Sequence, residues 1–156
     1  MNKLKKELKD WAGALLFAVL VATPLRWAIG EPYTIPTPSM EGSLLVGDFL
    51  YVSKLHYGAR TAKTLLQIPL TFQKIWGTEI QSYLDWVNAP FLRGPGISSI
   101  KRNDNVVFNF PGELENPVDM RTYYIKRCVA IAGDTIEIKN KQVFINGIAQ
   151  PFPQNA

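Results

Sequence analysis

The sequence predicts a mainly β protein, with one transmembrane helix at the N-terminus followed by an antiparallel β domain that carries an irregular, partly helical insertion. Three observations predict it. An apolar run with a single charge, Trp11 to Gly30, follows a lysine-rich start. Short runs of β-branched and aromatic residues, punctuated by Gly, Asn, Asp and Pro, fill the chain after residue 100. Between residues 58 and 100 that patterning lapses.

The apolar run supplies the first element. A bilayer core takes about 20 mainly apolar residues as a helix. Residues 11–30 reach that length if Arg26 snorkels toward the interface on its long stem. Trp11 and Trp27 stand near the two ends, as interfacial aromatics do. The start, "MNKLKKELKD", carries four lysines against two acids. By the positive-inside tendency, residues 1–10 form a cytoplasmic basic tail and residues 31–156 lie outside the cytoplasm. A cleaved secretory signal is the alternative. Its core would end near Ala22, but the Ala-x-Ala spacing is absent there, so a retained single-pass anchor is expected.

The next stretch is "EPYTIPTPSMEGSLLVGDFLYVSK", Glu31 to Lys54. Pro32, Pro36 and Pro38 fix their own φ and bias each preceding residue toward extended geometry. Residues 31 to 38 span at most roughly 25–30 Å, so Ser39 is presented at a set height near the bilayer. A Gly-containing turn at Glu41–Ser43 leads to a strand through Phe49, Tyr51 and Val52. "DNVVFNFP" gives a second strand, Asn105 to Phe110. "TYYIKRCVAIAGDTIEI" gives a third run, with Gly133-Asp134 turning into Thr135–Ile138. Asn140-Lys141 and Asn146-Gly147 are hairpin turns, the latter the strongest turn pair in the chain. The insertion, 58–100, is rich in Leu, Ile, Trp, Pro and Gln, and one short helix is expected near Glu79–Val87. Its aromatics (Phe72, Trp76, Tyr83, Trp86, Phe91) either pack on the β domain or touch lipid or a partner.

Composition excludes several functions. The 156 residues suffice for one modest domain. A net charge of +4, partly concentrated at the N-terminus, is too small and too local to argue for nucleic acid. One cysteine, Cys128, excludes an internal disulfide and a cysteine-rich metal site, and one histidine, His56, excludes a multi-histidine cluster. No metal or organic cofactor is expected. Cys128 is expected as a packed thiol.

Ser39 is a poor nucleophile unless a base takes its proton. His56 could be that base, although no acid that would order it is readable. The alternative is a lysine held neutral by apolar surroundings. Lys126 suits that role, lying mid-strand among Tyr124, Ile125, Val129 and Ile131. A solvated edge-strand lysine has the same spacing.

Three blocks together carry a resemblance: "EPYTIPTPSMEGSLLVGDFLYV", "KRNDNVVFNFP" and "YYIKRCVAIAGDTIEI…VFINGIAQ". They resemble successive boxes of bacterial signal peptidase I, in the right order behind the right kind of anchor, and look most like the Bacteroidetes-type enzymes. The match covers Glu31–Val52 and Lys101–Gln150 and leaves the insertion out. The resemblance implies a β domain of the signal-peptidase type. It implies a serine endopeptidase of the inner membrane that removes signal peptides with Ala-x-Ala sites from exported preproteins. Ser39 would be the nucleophile and Lys126 the general base. Thr37 and the Ser39 amide would form the oxyanion hole. Tyr33, Ile35, Leu44, Val107, Tyr124 and Ile125 would line the pockets for small side chains, with Met40 packing beside the nucleophile. Asp104 and Arg127 match structural positions. Signal peptides, membrane lipid and the secretion translocon are the implied partners, with no nucleic acid.

The sequence departs from that family at its end. A last box of the Gly-Asp-Asn-x-x-Ser-x-Asp-Ser-Arg type is absent, and the chain stops at "PFPQNA". In the family that box orients the lysine and pairs the arginine matching Arg127. The chain is therefore expected to be the N-terminal portion of a longer protein, with uncertain activity by itself. Gly42-Ser43 replaces a common Pro-Thr, and Ala132 a common Pro. Two other readings compete. One is an inactive or incomplete membrane-tethered β module that binds exported chains without cutting them. The other is a self-cleaving repressor-type Ser/Lys protease, disfavoured by the anchor and by the lack of a DNA-binding helical domain.

Overall fold

The computed structural model describes residues 2–68 and 71–151. The expected domain's last residues, 152–156, and Pro69 and Leu70 of the insertion lie outside the described residues. Helix α1 (Asn2–Phe17), a π-helical segment (Ala18–Ala22) and helix α2 (Thr23–Ala28) run on as one rod. Lys3–Ala28 is long and apolar enough to cross a membrane, and none of its apolar window is buried. The rod begins earlier than the apolar run, because the lysine-rich tail continues the helix. Pro24 sits in the first turn of α2. It has no N–H to donate, and its ring crowds the carbonyl four residues back. The widened π turns immediately before it relieve that conflict.

The rest is antiparallel β, as the sequence predicts. Strand β1 (Gly30–Thr34) pairs with β2 (Phe49–Ser53), from Gly30 opposite Ser53 to Thr34 opposite Phe49. The helix-to-strand junction requires glycine: a Cβ on Gly30 would come within 2.7 Å of the Tyr51 ring and the Val52 carbonyl. Strands β3 (Thr64–Gln67) and β4 (Tyr83–Asn88) form a second pair. Strand β5 (Asn105–Asn109) pairs with β6 (Tyr123–Arg127), the connection including a 3-10 turn at Val118–Met120. Strands β7 (Ile136–Lys139), β8 (Gln142–Ile145) and β9 (Ile148–Ala149) form a meander. Its turns fall at Asn140-Lys141 and Asn146-Gly147, and all four residues take positive φ, as two-residue hairpins of this hand demand.

The insertion is corrected by the structure. No helix forms at Glu79–Val87; residues 83–88 are strand β4. The insertion is one long irregular ribbon. Ser98 N donates to His56 O, Gly94 N to Ala59 O, Thr61 N to Leu92 O, Ala89 N to Lys63 O and Ile75 N to Ile80 O. The alternation within Tyr83-Leu84-Asp85-Trp86-Val87 suits a strand, and aromatic and β-branched residues favour it. What hid it in the sequence is that its outer face carries the exposed apolar residues Leu84 and Trp86 opposite buried Tyr83, which erases a clean apolar period.

The ribbon is fixed to the β5–β6 connection by polar contacts. Buried Asp119 accepts from Thr64 N at 2.8 Å and Thr64 Oγ1 at 3.2 Å. Tyr83 OH donates to Asn116 Oδ1 at 2.9 Å, and Gln73 Nε2 to Met120 O at 2.7 Å. Tyr123 of β6 packs at 5.1 Å from Tyr33 of β1 and 5.7 Å from Phe72 of the ribbon, so three segments meet at one ring.

Two predictions follow from this scaffold. Gly58 has φ +79 and passes against the Gly94 carbonyl with no room for a Cβ. Gly58→Ala therefore destabilises the protein by about 2 kcal/mol or more, read as a lowered urea midpoint. Asp134 accepts from Arg102 Nε at 2.8 Å, Ile131 N at 2.9 Å and Asn146 Nδ2 at 3.0 Å. The Arg102 guanidinium, followed by the Ile131 amide, holds its carboxyl well below the usual range. A folded pKa below the unfolded one gives stability that is present above about pH 4 and lost as pH falls through the folded value. Arg102→Ala is thus less stable than the parent at pH 7, and the gap narrows on acidification below about pH 4, as urea unfolding at both pH values will show.

Candidate active site

The loop between β1 and β2 presents Ser39. Its base is closed by Ile35 N donating to Asp48 O and Gly47 N to Ile35 O, each at 2.9 Å. Within it, Glu41 N donates to Pro38 O, and Leu44 N and Ser43 N donate to Met40 O. These bonds wind residues 39–44 into a single turn. Ile35 and Met40 are buried beneath the loop, which leaves Ser39 exposed above them.

Strand β6 supplies the partner. Lys126 lies opposite Val106 of β5, and Tyr124 opposite Phe108. By the pleat these four share one face. Lys126 Nζ stands 5.9 Å from the Tyr124 ring centroid, and Tyr124 stacks on Phe110 at 4.6 Å. Half-buried there, Lys126 Nζ reaches to 2.5 Å from Ser39 Oγ across 87 residues of sequence. The next residue, Arg127, donates to Ser43 Oγ and, at 3.4 Å, to Asn103 O. His56 turns elsewhere: its Nδ1 is 3.0 Å from Ser53 Oγ.

Thr37 lies two residues before Ser39 in the same exposed loop. Tyr33, Leu44, Val107 and Ile125 line a groove of about 1360 Å³ that runs between the two strand pairs, α2 and the ribbon. Tyr124 stands on the Lys126 face instead. Asp104 Oδ2 accepts from Lys101 N and Tyr57 OH, both at 2.8 Å. The Lys101 amide, then Tyr57, holds that carboxyl low. Asp104 thereby ties the start of the ribbon to the start of β5. Cys128 is half-buried, its thiol donating to Ala130 O at 3.3 Å.

The reading of the sequence missed Glu31. Arg26, at the end of the apolar helix, donates from Nε to Glu31 Oε1 at 2.7 Å. Lys54 Nζ and Tyr33 OH donate to the other oxygen at 3.0 and 2.9 Å. Burial pushes this carboxyl up, but the Lys54 charge and the three donors outweigh it and hold it low. Burial chiefly, with Tyr123 and Glu31 beside it, pushes the Tyr33 phenol up. The one available signal was a lone arginine at the end of an apolar run with an acid five residues on.

A family profile described as "Signal peptidase, peptidase S26" matches residues 8–156. Among curated proteins, the chain is similar to signal peptidase I of Rickettsia massiliae (strain Mtu5), with 28% identity over 146 residues, 93% of this chain and 45% of that one. It is similar also to signal peptidase I of Rickettsia prowazekii (strain Madrid E), with 28% identity over 145 residues, 90% and 44%. The chain spans about half the length of the curated relatives it matches. No solved structure matches it significantly.

Met40, 8% exposed, is the floor of the serine turn. Met40→Ala costs about 2–5 kcal/mol of stability, while Met40→Leu, which keeps the volume, costs less than about 1.5 kcal/mol. Urea unfolding of the two variants measures the contrast.

Proposed function

The chain belongs to the signal peptidase family, peptidase S26, and from that premise we propose that it carries the Ser/Lys dyad of a membrane-bound endopeptidase that removes Ala-x-Ala signal peptides from exported preproteins. The observation that carries this reading is the 2.5 Å approach of Lys126 Nζ to Ser39 Oγ.

In this reading Lys126, as the neutral amine, takes the Ser39 proton while Oγ attacks the scissile carbonyl carbon. The carbonyl oxygen becomes an oxyanion facing the Ser39 amide and the Thr37 hydroxyl, neither of which is engaged by another group among the described residues. Lys126 returns its proton to the leaving amine as the C–N bond breaks. A water molecule then attacks the acyl-enzyme with Lys126 again as base, which frees the signal peptide and restores Ser39. The role of Arg127 is to hold the turn through Ser43, and that of Asp104 is to hold the head of β5. Tyr33, Leu44, Val107 and Ile125 form the pocket wall that admits small side chains, with Ile35, Met40 and Tyr124 shaping the floor and the Lys126 side. The substrate lies extended beside the serine loop and β6 as an added strand.

The apolar helix anchors the chain in the inner membrane, N-terminus in the cytoplasm, with the β domain on the far side. That geometry suits a substrate whose scissile bond follows its own apolar core. Preproteins and membrane lipid are the partners, with the secretion translocon delivering the former.

The test is cleavage of an Ala-x-Ala preprotein in lipid, by this chain and by the chain extended with its native downstream sequence. Cleavage by the extended form alone upholds the peptidase reading and assigns the downstream sequence a part in it. Cleavage by both shows that the residues up to 156 suffice. If neither cuts, the non-cleaving binding module takes its place. In whichever form cuts, Ser39→Ala and Lys126→Ala each reduce turnover by about 10³-fold or more. Lys126→Arg fails as well, because a guanidinium does not deprotonate at working pH. Substantial turnover by any of the three sinks the dyad.

A further inference from the structure

The groove does not end at the pocket wall beside Ser39. Strand β1 pairs with β2 and β6 with β5, and among the described residues no ladder joins β1 to β6. These two strands and the turn that follows β1 approach each other at two places. One is Ser39 and Lys126, and the other is the pair of rings Tyr33 and Tyr123, 5.1 Å apart. An extended chain laid beside β6 as an added strand therefore runs between the dyad and the two tyrosines. From Lys126 to Tyr123 is three residues, about 10 Å along a strand.

The direction of that chain follows from the helix. Tyr33 OH and Arg26 Nε donate to the same carboxylate, Glu31, so the tyrosines mark the end of the groove nearest the apolar rod. A preprotein whose apolar core lies in the bilayer enters from that end, and the residues before its scissile bond point back toward the tyrosines. Alternate side chains of a strand share a face. Tyr123 stands one alternation before Ile125, and both line the groove. With the first and third residues before the scissile bond in the small pockets that Ile125 walls, the fifth falls at Tyr33 and Tyr123.

The surroundings of that position suit a large apolar side chain. Phe72 of the ribbon packs on Tyr123 at 5.7 Å and lines the same groove. Both phenol hydroxyls are tied off, Tyr33 to Glu31 Oε2 at 2.9 Å and Tyr123 to Asp119 O at 3.4 Å, which leaves the rings as the surface on offer. The backbone at Phe72 is held as well: the Ser82 hydroxyl donates to its carbonyl, and the next residue, Gln73, donates from Nε2 to Met120 O at 2.7 Å. The Phe72 ring is nonetheless 38% exposed, fixed in place and open to a ligand.

From these we infer that Tyr33, Tyr123 and Phe72 form a further substrate subsite, which takes a large apolar side chain such as leucine at the fifth position before the scissile bond. The inference rests on the peptidase reading. The chain then selects on two features, small side chains next to the cut and a large one four residues further back. Phe72 belongs to the insertion, so the ribbon contributes selectivity to a reaction whose chemistry lies elsewhere.

The experiment compares two preproteins in lipid, alike in their Ala-x-Ala site and differing only in leucine or glycine at the fifth position, using whichever form of the chain cuts. The parent is expected to favour leucine about 10-fold in kcat/KM, chiefly through KM. In Phe72→Ala that ratio falls to about twofold, and in Phe72→Leu, which keeps an apolar wall, it lies between the two. A misfolded fraction lowers both rates alike and leaves the ratio untouched, and any intrinsic difference between the substrates cancels between parent and variant. No preference in the parent, or the same ratio in the parent and both variants, overturns the subsite and leaves the peptidase reading in place. Cleavage of neither substrate by any form of the chain overturns the peptidase reading and the subsite with it.

Discussion

Strand β6 delivers two long basic side chains in succession, Lys126 and Arg127, to one turn, and the position of that turn depends on both. Lys126 meets Ser39 at its start, and Arg127 meets Ser43 one helical turn later. The turn's own bonds, from Leu44 and Ser43 to the Met40 carbonyl, make those two grips act on a single unit. The register of β6 against β5 therefore sets the site: a slip of one residue would turn the Lys126 face over and bring Ile125 to the serine. Several features guard that register. Asp104 pins the head of β5, Cys128 N donates to Asp104 O past the end of β6, and the Tyr124–Phe110 stack closes the other end.

A second constraint joins this site to the apolar helix. Glu31 is gripped by Arg26 from the helix and by Lys54 and Tyr33 from the strands, so one carboxylate spans the junction. It sits half-enclosed, where a charge without partners would be costly, and it has cations on both of its oxygens. Gly30 brings the backbone itself down onto Tyr51. Between them, the junction gains an angle as well as a connection. The Trp27–Arg60 hydrogen bond adds a third point, off the axis of the first two.

The sequence made some of this readable and not the rest, for physical reasons. The β1–β2 and β5–β6 strands and the I′-type turns of β7–β9 are local: Asn-Gly and period-two patterns specify them within a few residues. The helix was legible from hydropathy, but its π turns were not, since they depend on where Pro24 falls in the helical phase. Ser39 and Lys126 could be set side by side only through the resemblance, since 87 residues separate them and an edge-strand lysine reads identically. The ribbon was illegible because its stability comes from backbone pairing and from Asp119, Asn116 and Met120 on another segment, which no window of sequence contains. The Glu31 cluster was missed for the same reason, as Lys54 arrives from the far strand.

The base of the ribbon has a consequence for how such chains vary. At Gly58 and Gly96 the two arms pass so closely that side chains are excluded: a Cβ on Gly96 would sit 2.7 Å from the His56 carbonyl. The loop closes there before it opens into β3 and β4. Changes beyond that neck that spare Thr64, Phe72, Gln73 and Tyr83 leave the ribbon's contacts with the β5–β6 connection in place. Loop-closure entropy grows only slowly with length, so the exposed remainder beyond the neck can lengthen, shorten or exchange its surface while those contacts and the serine turn stay the same.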